Sequence, residues 1–423
     1  MYKKTILKNQ LRVITNEMKD RDSVSVGIWI AAGGRHEDKK NKGAAHFLEH
    51  ILFKGTQKYS CEAIKEQIEG VGGTLNAFTS EEYTCYFAKI PSKHLDRTFD
   101  ILSDMVYHPL IAKKDVNKER GVILEEIKMY RDQPQHFVIE LLEELMWPGH
   151  PLGMNLAGSF ESVGAMSEKD LQSFHRGHYT PANIVVAASG RLSHDHVVGL
   201  TSKKSAKFDS SRKNRYRNAD NSQIKPKAKF FKKAIEQMHL AIGAFGLPDD
   251  HKDRHAYQLL NIILGGNMSS RLFDEVREKR GLAYAIGSSA KSLSDTGLFL
   301  IRAGVDNTKI VEAVDVILKE LGKIRTQAVS KDEFSRAKDY YLGQTLLGLE
   351  DTLEHMFWIG ESTVSLDRTK TLKDILREVN KVTINDIRSV ADGVFQRKNV
   401  NLSIVGPLKD NQENGLNDLM KVS

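Results

Sequence analysis

The sequence predicts an α+β protein made of two similar domains. Three observations carry this. The chain has 423 residues, enough for two or three domains at about 150 residues each. Short runs rich in β-branched residues recur among longer runs with helical periodicity. And the second half repeats the first. With His46 set against Tyr257, an offset of 211, Leu48 meets Leu259, Ile51 meets Ile262 and Gly55 meets Gly266. At the far end Asn183 and Gly190 match Asn399 and Gly406 at an offset of 216, a drift that a few loop insertions explain.

In chain order, residues 5–7 and 11–14 form a hairpin around the polar turn at 8–10. Residues 23–30 alternate polar and apolar with a period of two, as a strand does. Residues 43–53 and 61–70 read as helices, and 73–90 as two strands around Thr79-Ser80-Glu81-Glu82. Residues 95–107 and 114–131 are helical, with more helix up to about 175. Residues 184–190 form a buried strand ending on glycine. Between 205 and 233 hydrophobic periodicity is lost and basic residues accumulate, which reads as a solvated linker. Residues 238–245 then form a strand like 24–30, residues 255–264 a helix like the one around His46, and 400–405 a strand like 184–189. The domains expected are therefore 1–205, a linker at 206–233, and 234–423.

Composition narrows the function. Forty per cent of residues are hydrophobic and 28% charged, which excludes wholesale disorder. A net charge of +7 over this length is too small to indicate nucleic acid by itself. Two cysteines, Cys61 and Cys85, exclude a disulfide scaffold and a cysteine-based zinc site. No stretch reaches the roughly 18 apolar residues of a membrane span. The basic start is interrupted by Lys8-Asn9-Gln10 before any signal-peptide core can form. A soluble, cytoplasmic chain is expected.

His46-Phe47-Leu48-Glu49-His50 is the segment that carries chemistry. On a helix, residues four apart stack on one face, so His46 and His50 can hold one Zn²⁺. Glu49 lies beside them, placed to take a proton from water. The order H-x-x-E-H is the inverse of the common zinc-peptidase motif. The chemistry calls for a third ligand, and 114–131 offers Glu119, Glu125 and Glu126. Glu119 and Glu126 are seven apart and share a face with Val122, Ile123 and Tyr130, where an unpaired carboxylate is costly. Glu125 lies about 100° away round the helix. Glu126 is the expected ligand, and Glu119 the carboxylate that orients a histidine.

These motifs resemble the insulinase (pitrilysin) family of zinc metallopeptidases, especially its short members similar to the β-subunit of mitochondrial processing peptidase. His46 through Thr56 resembles the first family motif, and Arg120 through Glu126 the segment around the third ligand. The resemblance covers nearly the whole chain. It implies one Zn²⁺ per chain on His46, His50 and Glu126, with Glu49 as general base and Glu119 as the acidic residue one heptad before the third ligand. The implied fold is two homologous domains, each a mostly antiparallel sheet packed with helices, in a clamshell-like arrangement. The implied activity is endopeptidase action on short or unfolded peptides, extending to processing-peptidase activity; the alternative is a non-catalytic scaffold or a peptide-binding relative.

The resemblance also implies substrate contacts. Thr74 to Thr79 resembles the family's edge strand, where Asn76, Ala77 and Phe78 would receive an extended peptide by β-augmentation; a plain strand-end role for Asn76 is the other reading. Arg277 and Tyr284, seven apart, resemble the family's Arg/Tyr pair, which positions substrate and stabilises an oxyanion. The other reading there is a surface ion pair of Arg277 or Arg280 with a carboxylate such as Asp274. Tyr257, Leu260 and Asn261 replace the motif in the second half, so no zinc is expected there. Long relatives close four such domains around a substrate, so the resemblance implies pairing with a second copy or a partner chain, a symmetric homodimer being the default. Neither a nucleic-acid nor a membrane partner is expected. His136, His150 and His175 lack ligand spacing, and residues 264–267 lack the Lys-Ser/Thr of a phosphate loop.

Overall fold

A computed structural model describes residues 2–209 and 212–421. The described residues divide into two compact units. The first contains 1–127, 154–217 and 345–371; the second contains 128–153, 218–344 and 372–423.

Among the described residues the first unit holds a six-stranded sheet ordered β1-β2-β6-β3-β5-β4. Its strands are β1 (Lys3–Ile6), β2 (Arg12–Glu17), β3 (Ser23–Ile30), β4 (Thr74–Thr79), β5 (Thr84–Pro91) and β6 (Ile184–Gly190). The β1–β2 hairpin is the one expected at the start of the chain. All neighbours are antiparallel except β2 and β6. The second unit holds a five-stranded sheet ordered β7-β11-β8-β10-β9. Its strands are β7 (Lys227–Lys232), β8 (Gln237–Phe245), β9 (Ala283–Ser292), β10 (Gly297–Asp306) and β11 (Asn401–Gly406). Here only β7 and β11 are parallel. Removing β1 makes the two orders superimpose strand for strand, so the repeat read in the sequence is a repeat of topology. Among the described residues no helix is long and apolar enough to cross a membrane.

The units are not contiguous in the chain, which changes the division at 205 and 233. The period of two in β3 suggests a strand with one wet face, yet Val24 to Ile30 are all buried. Val24, Val26, Ile28 and Ile30 enter one core, under the helices of the first half. The other face is covered by the helix Thr352–Leu366 from late in the chain. Ser25 Oγ lies 3.0 Å from Thr352 Oγ1. A Cβ on Gly27 would fall 2.7 Å from Met356 Sδ, and one on Gly360 2.2 Å from Trp29 Nε1. Two strand residues advance about 6.6 Å and four helix residues about 6 Å. The contacts therefore repeat in step, and a glycine stands wherever the other side supplies bulk. The helix Pro134–Met146 does the same in the second unit, where Val138, Leu142 and Met146 pack with Ala241 and Phe245 of β8.

The stretch read as a linker is also more structured than expected. Ser210 and Ser211 lie outside the described residues. Beyond them, Asn214 N–H donates to Asn183 Oδ1 at 2.7 Å and its side-chain amide to Ala31 O at 2.8 Å. Residues 227–232 are β7 itself. Polar side chains tie the segment down, so no hydrophobic period announces it.

Candidate metal centre

The motif helix spans Ala44–Leu52. Phe47, Leu48, Ile51 and Leu52 are buried, so the helix docks by its apolar sides and keeps His46, Glu49 and His50 on the remaining stripe. The carboxylate helix spans Lys113–Asp132 and docks through Val116, Ile123 and Ile127. Val122, expected on that face, is 47% exposed and lies elsewhere on the helix. Glu119 is buried, Glu126 is half-buried and Glu125 is exposed.

The structure brings His46, His50 and Glu126 together. The imidazole centroids are 4.7 Å apart. Glu126 Oε2 lies 3.7 Å from His46 Nε2 and 3.5 Å from His50 Nε2. One donor atom from each residue lies within 4.8 Å of the other two. Glu119 Oε2 stands 3.3 Å from His50 Nδ1, and its Oε1 accepts from Lys54 Nζ at 2.7 Å. A carboxylate on one ring nitrogen keeps the proton there and turns the lone pair of the other towards the cluster.

Charge follows from burial and neighbours. Burial, helped by the charge of His50, pushes His46 down to about 4, so it stays neutral with a free lone pair. Burial also opposes protonation of His50, but its hydrogen bonds to Glu126 and Glu119 outweigh this and raise it. Glu49 is raised, chiefly by burial, which suits a carboxylate that must take up a proton. Its Oε2 accepts from Thr79 Oγ1 at 2.6 Å.

Thr79 ends β4, which is an edge of its sheet. Alternation along β4 sends Leu75 and Ala77 into the core beneath the motif helix and Thr79 to Glu49. Phe78 has the opposite parity and packs its ring against Trp29, Tyr83, Phe87 and Phe357. Asn76 shares that parity. Its exposed side chain folds back, Oδ1 accepting from Ala77 N–H at 2.8 Å. The residue of this strand that reaches the site by its side chain is thus Thr79, not Asn76. What Asn76 leaves open is main chain. Sequence reasoning also passed over Lys54, which lies in the turn just after the motif helix, four residues beyond His50.

Arg277 and Tyr284 belong to the second unit and are near each other. The guanidinium carbon of Arg277 stands 4.7 Å from the Phe273 ring centroid and 5.9 Å from that of Tyr284. The nearby surface ion pairs are formed by Lys279 with Asp274 and by Arg280 with Glu275. Arg277 approaches Glu278 only at 3.8 Å. Tyr284 is 78% exposed. In the helix Arg254–Leu264, at the positions matching the motif, Tyr257 and Leu260 are fully buried, and Asn261 Oδ1 accepts from Ser288 Oγ at 2.7 Å.

Comparison with known proteins gives consistent matches. Residues 12–159 match the family model described as Insulinase (Peptidase family M16). Residues 165–341 match the one described as Peptidase M16 inactive domain. A Streptomyces coelicolor protein named as an uncharacterized zinc protease is 37% identical over 422 residues, 98% of this chain and 92% of its own length. A Bacillus subtilis protein named likewise is 32% identical, over 96% of this chain and 98% of its own. A solved protease from Helicobacter pylori superimposes with a TM-score of 0.91 at 22% identity, covering 96% of this chain and 99% of that one. A solved structure from Pseudomonas fluorescens, titled as a peptidase M16 inactive domain, gives 0.90 at 19%, covering 96% and 98%. These structural likenesses speak for the fold.

Proposed function

The chain belongs to the insulinase family of peptidases, Peptidase family M16, and from that premise we propose that it is a zinc endopeptidase acting on short or unfolded peptides. The observation that carries this is the convergence of His46 Nε2, His50 Nε2 and Glu126 Oε2 beside a burial-raised Glu49. Two imidazoles and one carboxylate are a donor set suited to Zn²⁺ at a catalytic site. His46, His50 and Glu126 would hold it, one ion per chain. Bound there, zinc supplies Lewis acidity, polarising a carbonyl and making a water more acidic.

Glu49 takes the proton of the attacking water and passes it to the leaving amine. Thr79 holds the Glu49 carboxylate still while it does so. Lys54 and Glu119 fix the ring of His50. The free edge of β4 offers main-chain hydrogen bonds to an extended peptide at Asn76, Ala77 and Phe78, an affinity that tolerates many side chains. Arg277 and Tyr284 present a guanidinium and a phenol suited to a peptide carbonyl and an oxyanion. We propose that the working unit is a homodimer, in which one copy supplies the zinc unit and the other supplies Arg277 and Tyr284.

The test is metal content and turnover in parallel. His46→Ala and His50→Ala are expected to lose both zinc and activity. Glu49→Gln is expected to keep zinc and lose turnover by roughly a thousandfold or more, since an amide cannot accept the proton. Glu126→Gln should weaken zinc far more than Glu125→Gln. A zinc-loaded wild-type chain that binds peptides without cleaving them would instead identify a peptide-binding relative.

A further inference from the structure

The second unit carries an arginine whose placement the reaction above does not use. Arg302 lies in β10, between β8 and β9. Its register partners are Ala241 on one side and Gly287 on the other, so the neighbouring strands set only a methyl group and a hydrogen beside it. His239 stands likewise opposite Gly304. Arg302 and His239 both line a groove of about 380 Å³, together with Gln237 of β8 and Gln135 of the helix Pro134–Met146. Arg302 also lines an adjoining cavity of about 450 Å³.

Arg302 is exposed, its guanidinium open to the groove. Among the described residues, no side-chain hydrogen bond or ion pair engages the Arg302 guanidinium, and no carboxylate lines either cavity. The formal charge of the groove is therefore positive. The glycines keep it open. A Cβ on Gly304 would meet Gln237 Oε1 at 3.5 Å and one on Gly287 would meet Gly265 O at 3.5 Å, both ordinary contacts. A side chain is tolerated by the fold at either position, and it would occupy the groove instead of a ligand.

We propose that Arg302 and His239 form a carboxylate-binding subsite for an extended peptide. A guanidinium fork matches a carboxylate in two parallel hydrogen bonds. Gln237, Gln135 and the imidazole add neutral partners for the remaining lone pairs. A single cation beside amides and the apolar Val138 and Leu240 suits one negative charge on an organic stem better than a multiply charged phosphate. Tyr284 lines the same groove, so a peptide held by its carboxylate here lies beside a residue assigned to substrate. The inference rests on the peptidase reading. The carboxylate is either the peptide's C-terminus or an aspartate or glutamate side chain.

The experiment measures fluorescence anisotropy of labelled peptides on the full-length Glu49→Gln chain, where turnover does not interfere. Three peptides of one sequence are compared: one with a free C-terminus and an internal glutamate, one with the C-terminus amidated, and one with glutamate replaced by glutamine. Removing the recognised carboxylate is expected to weaken binding about tenfold to a hundredfold, and the arm that does so identifies its source. Arg302→Gln should weaken the parent peptide equally and abolish the difference among the three. Gly304→Val, which fills the groove and leaves the arginine, should do the same. Equal affinities for the three peptides, or no change on Arg302→Gln, would overturn the subsite. Wild-type cleavage of an amidated, carboxylate-free peptide is the separate measure of the peptidase reading. If that cleavage proceeds while Arg302→Gln changes nothing, only the subsite fails; if no peptide is bound or cut, both fail.

Discussion

Thr79 donates its hydroxyl proton to Glu49 Oε2 at 2.6 Å, so the end of the edge strand holds the carboxylate proposed as base. Thr79→Val keeps the shape and removes the donor. The expected result is a fall in kcat of roughly tenfold, the worth of one hydrogen bond to a charged group, with zinc content and peptide affinity unchanged. Thr79→Ser should restore most of the rate. Loss of zinc in Thr79→Val would show that the contact supports the ligands rather than the base.

The chain of contacts Lys54 to Glu119 to His50 predicts a metal effect at a distance. Lys54→Met leaves Glu119 free to swing away from His50 Nδ1. Zinc affinity, measured by competition with a chromophoric chelator, is expected to fall about tenfold to a hundredfold. Lys54→Arg should recover part of it. An unchanged affinity would assign Lys54 to the surface alone.

If each site is shared between copies, two inactive chains can complement. Glu49→Gln protein mixed with Arg277→Ala/Tyr284→Ala protein should regain activity as subunits exchange, because one site of each mixed dimer has both halves intact. The maximum is about a quarter of the wild-type rate per chain, since half the dimers mix and half their sites are whole. Mixed dimers that form and stay inactive would place the pair in the same copy as the zinc it serves.

His36 gives the fold an acid limit. Its Nδ1 accepts Gly33 N–H at 3.2 Å, and burial, aided by the charge of His178, pushes it down to about 3. The unfolded chain, with an ordinary value near ~6.5, takes up a proton that the folded one refuses. The stability His36 contributes is therefore full above ~6.5 and is lost as the pH falls towards 3, at up to ~1.4 kcal/mol per pH unit. The thermal midpoint should drop between pH 7 and pH 5. It should drop less in His36→Asn, whose side-chain oxygen can still accept from Gly33. Equal slopes for the two proteins would remove His36 from the account.

Gly360 has no room for a side chain against the indole of Trp29. Gly360→Val should cost about 2–3 kcal/mol or more through overpacking, read as a lowered midpoint in urea. Gly393, in the helix Ile384–Val394, where a Cβ meets nothing within 4 Å, should accept the same change without loss, since valine is no worse a helix former than glycine. Equal costs at the two positions would mean that the close approach is not what holds the Thr352–Leu366 helix to β3.

The cluster of His46, His50 and Glu126 was legible in the sequence because its geometry is local. A helix fixes the spacing of His46 and His50, and a second helix fixes that of Glu119 and Glu126, so residue numbers alone place each pair on a face. Most strands of the first unit, and its helices up to about residue 175, were legible for the same reason; β7, β9, β10 and the helices after 310 were not read from the sequence. The repeat was visible because the matched positions lie in cores, where volume and polarity leave little choice. What the tertiary structure decided is what depends on contacts between distant segments. That Glu49 meets Thr79, and that Asn76 turns its side chain away, depends on how β4 lies against the motif helix. That residues 134–146 cover one sheet and 352–366 the other depends on which apolar faces remain uncovered once each half has folded on itself. A period of two shows that β3 has two unlike faces. Only the three-dimensional packing shows that the second face, with Ser25, Gly27 and Trp29, is shaped for Thr352, Met356 and Gly360 rather than for water.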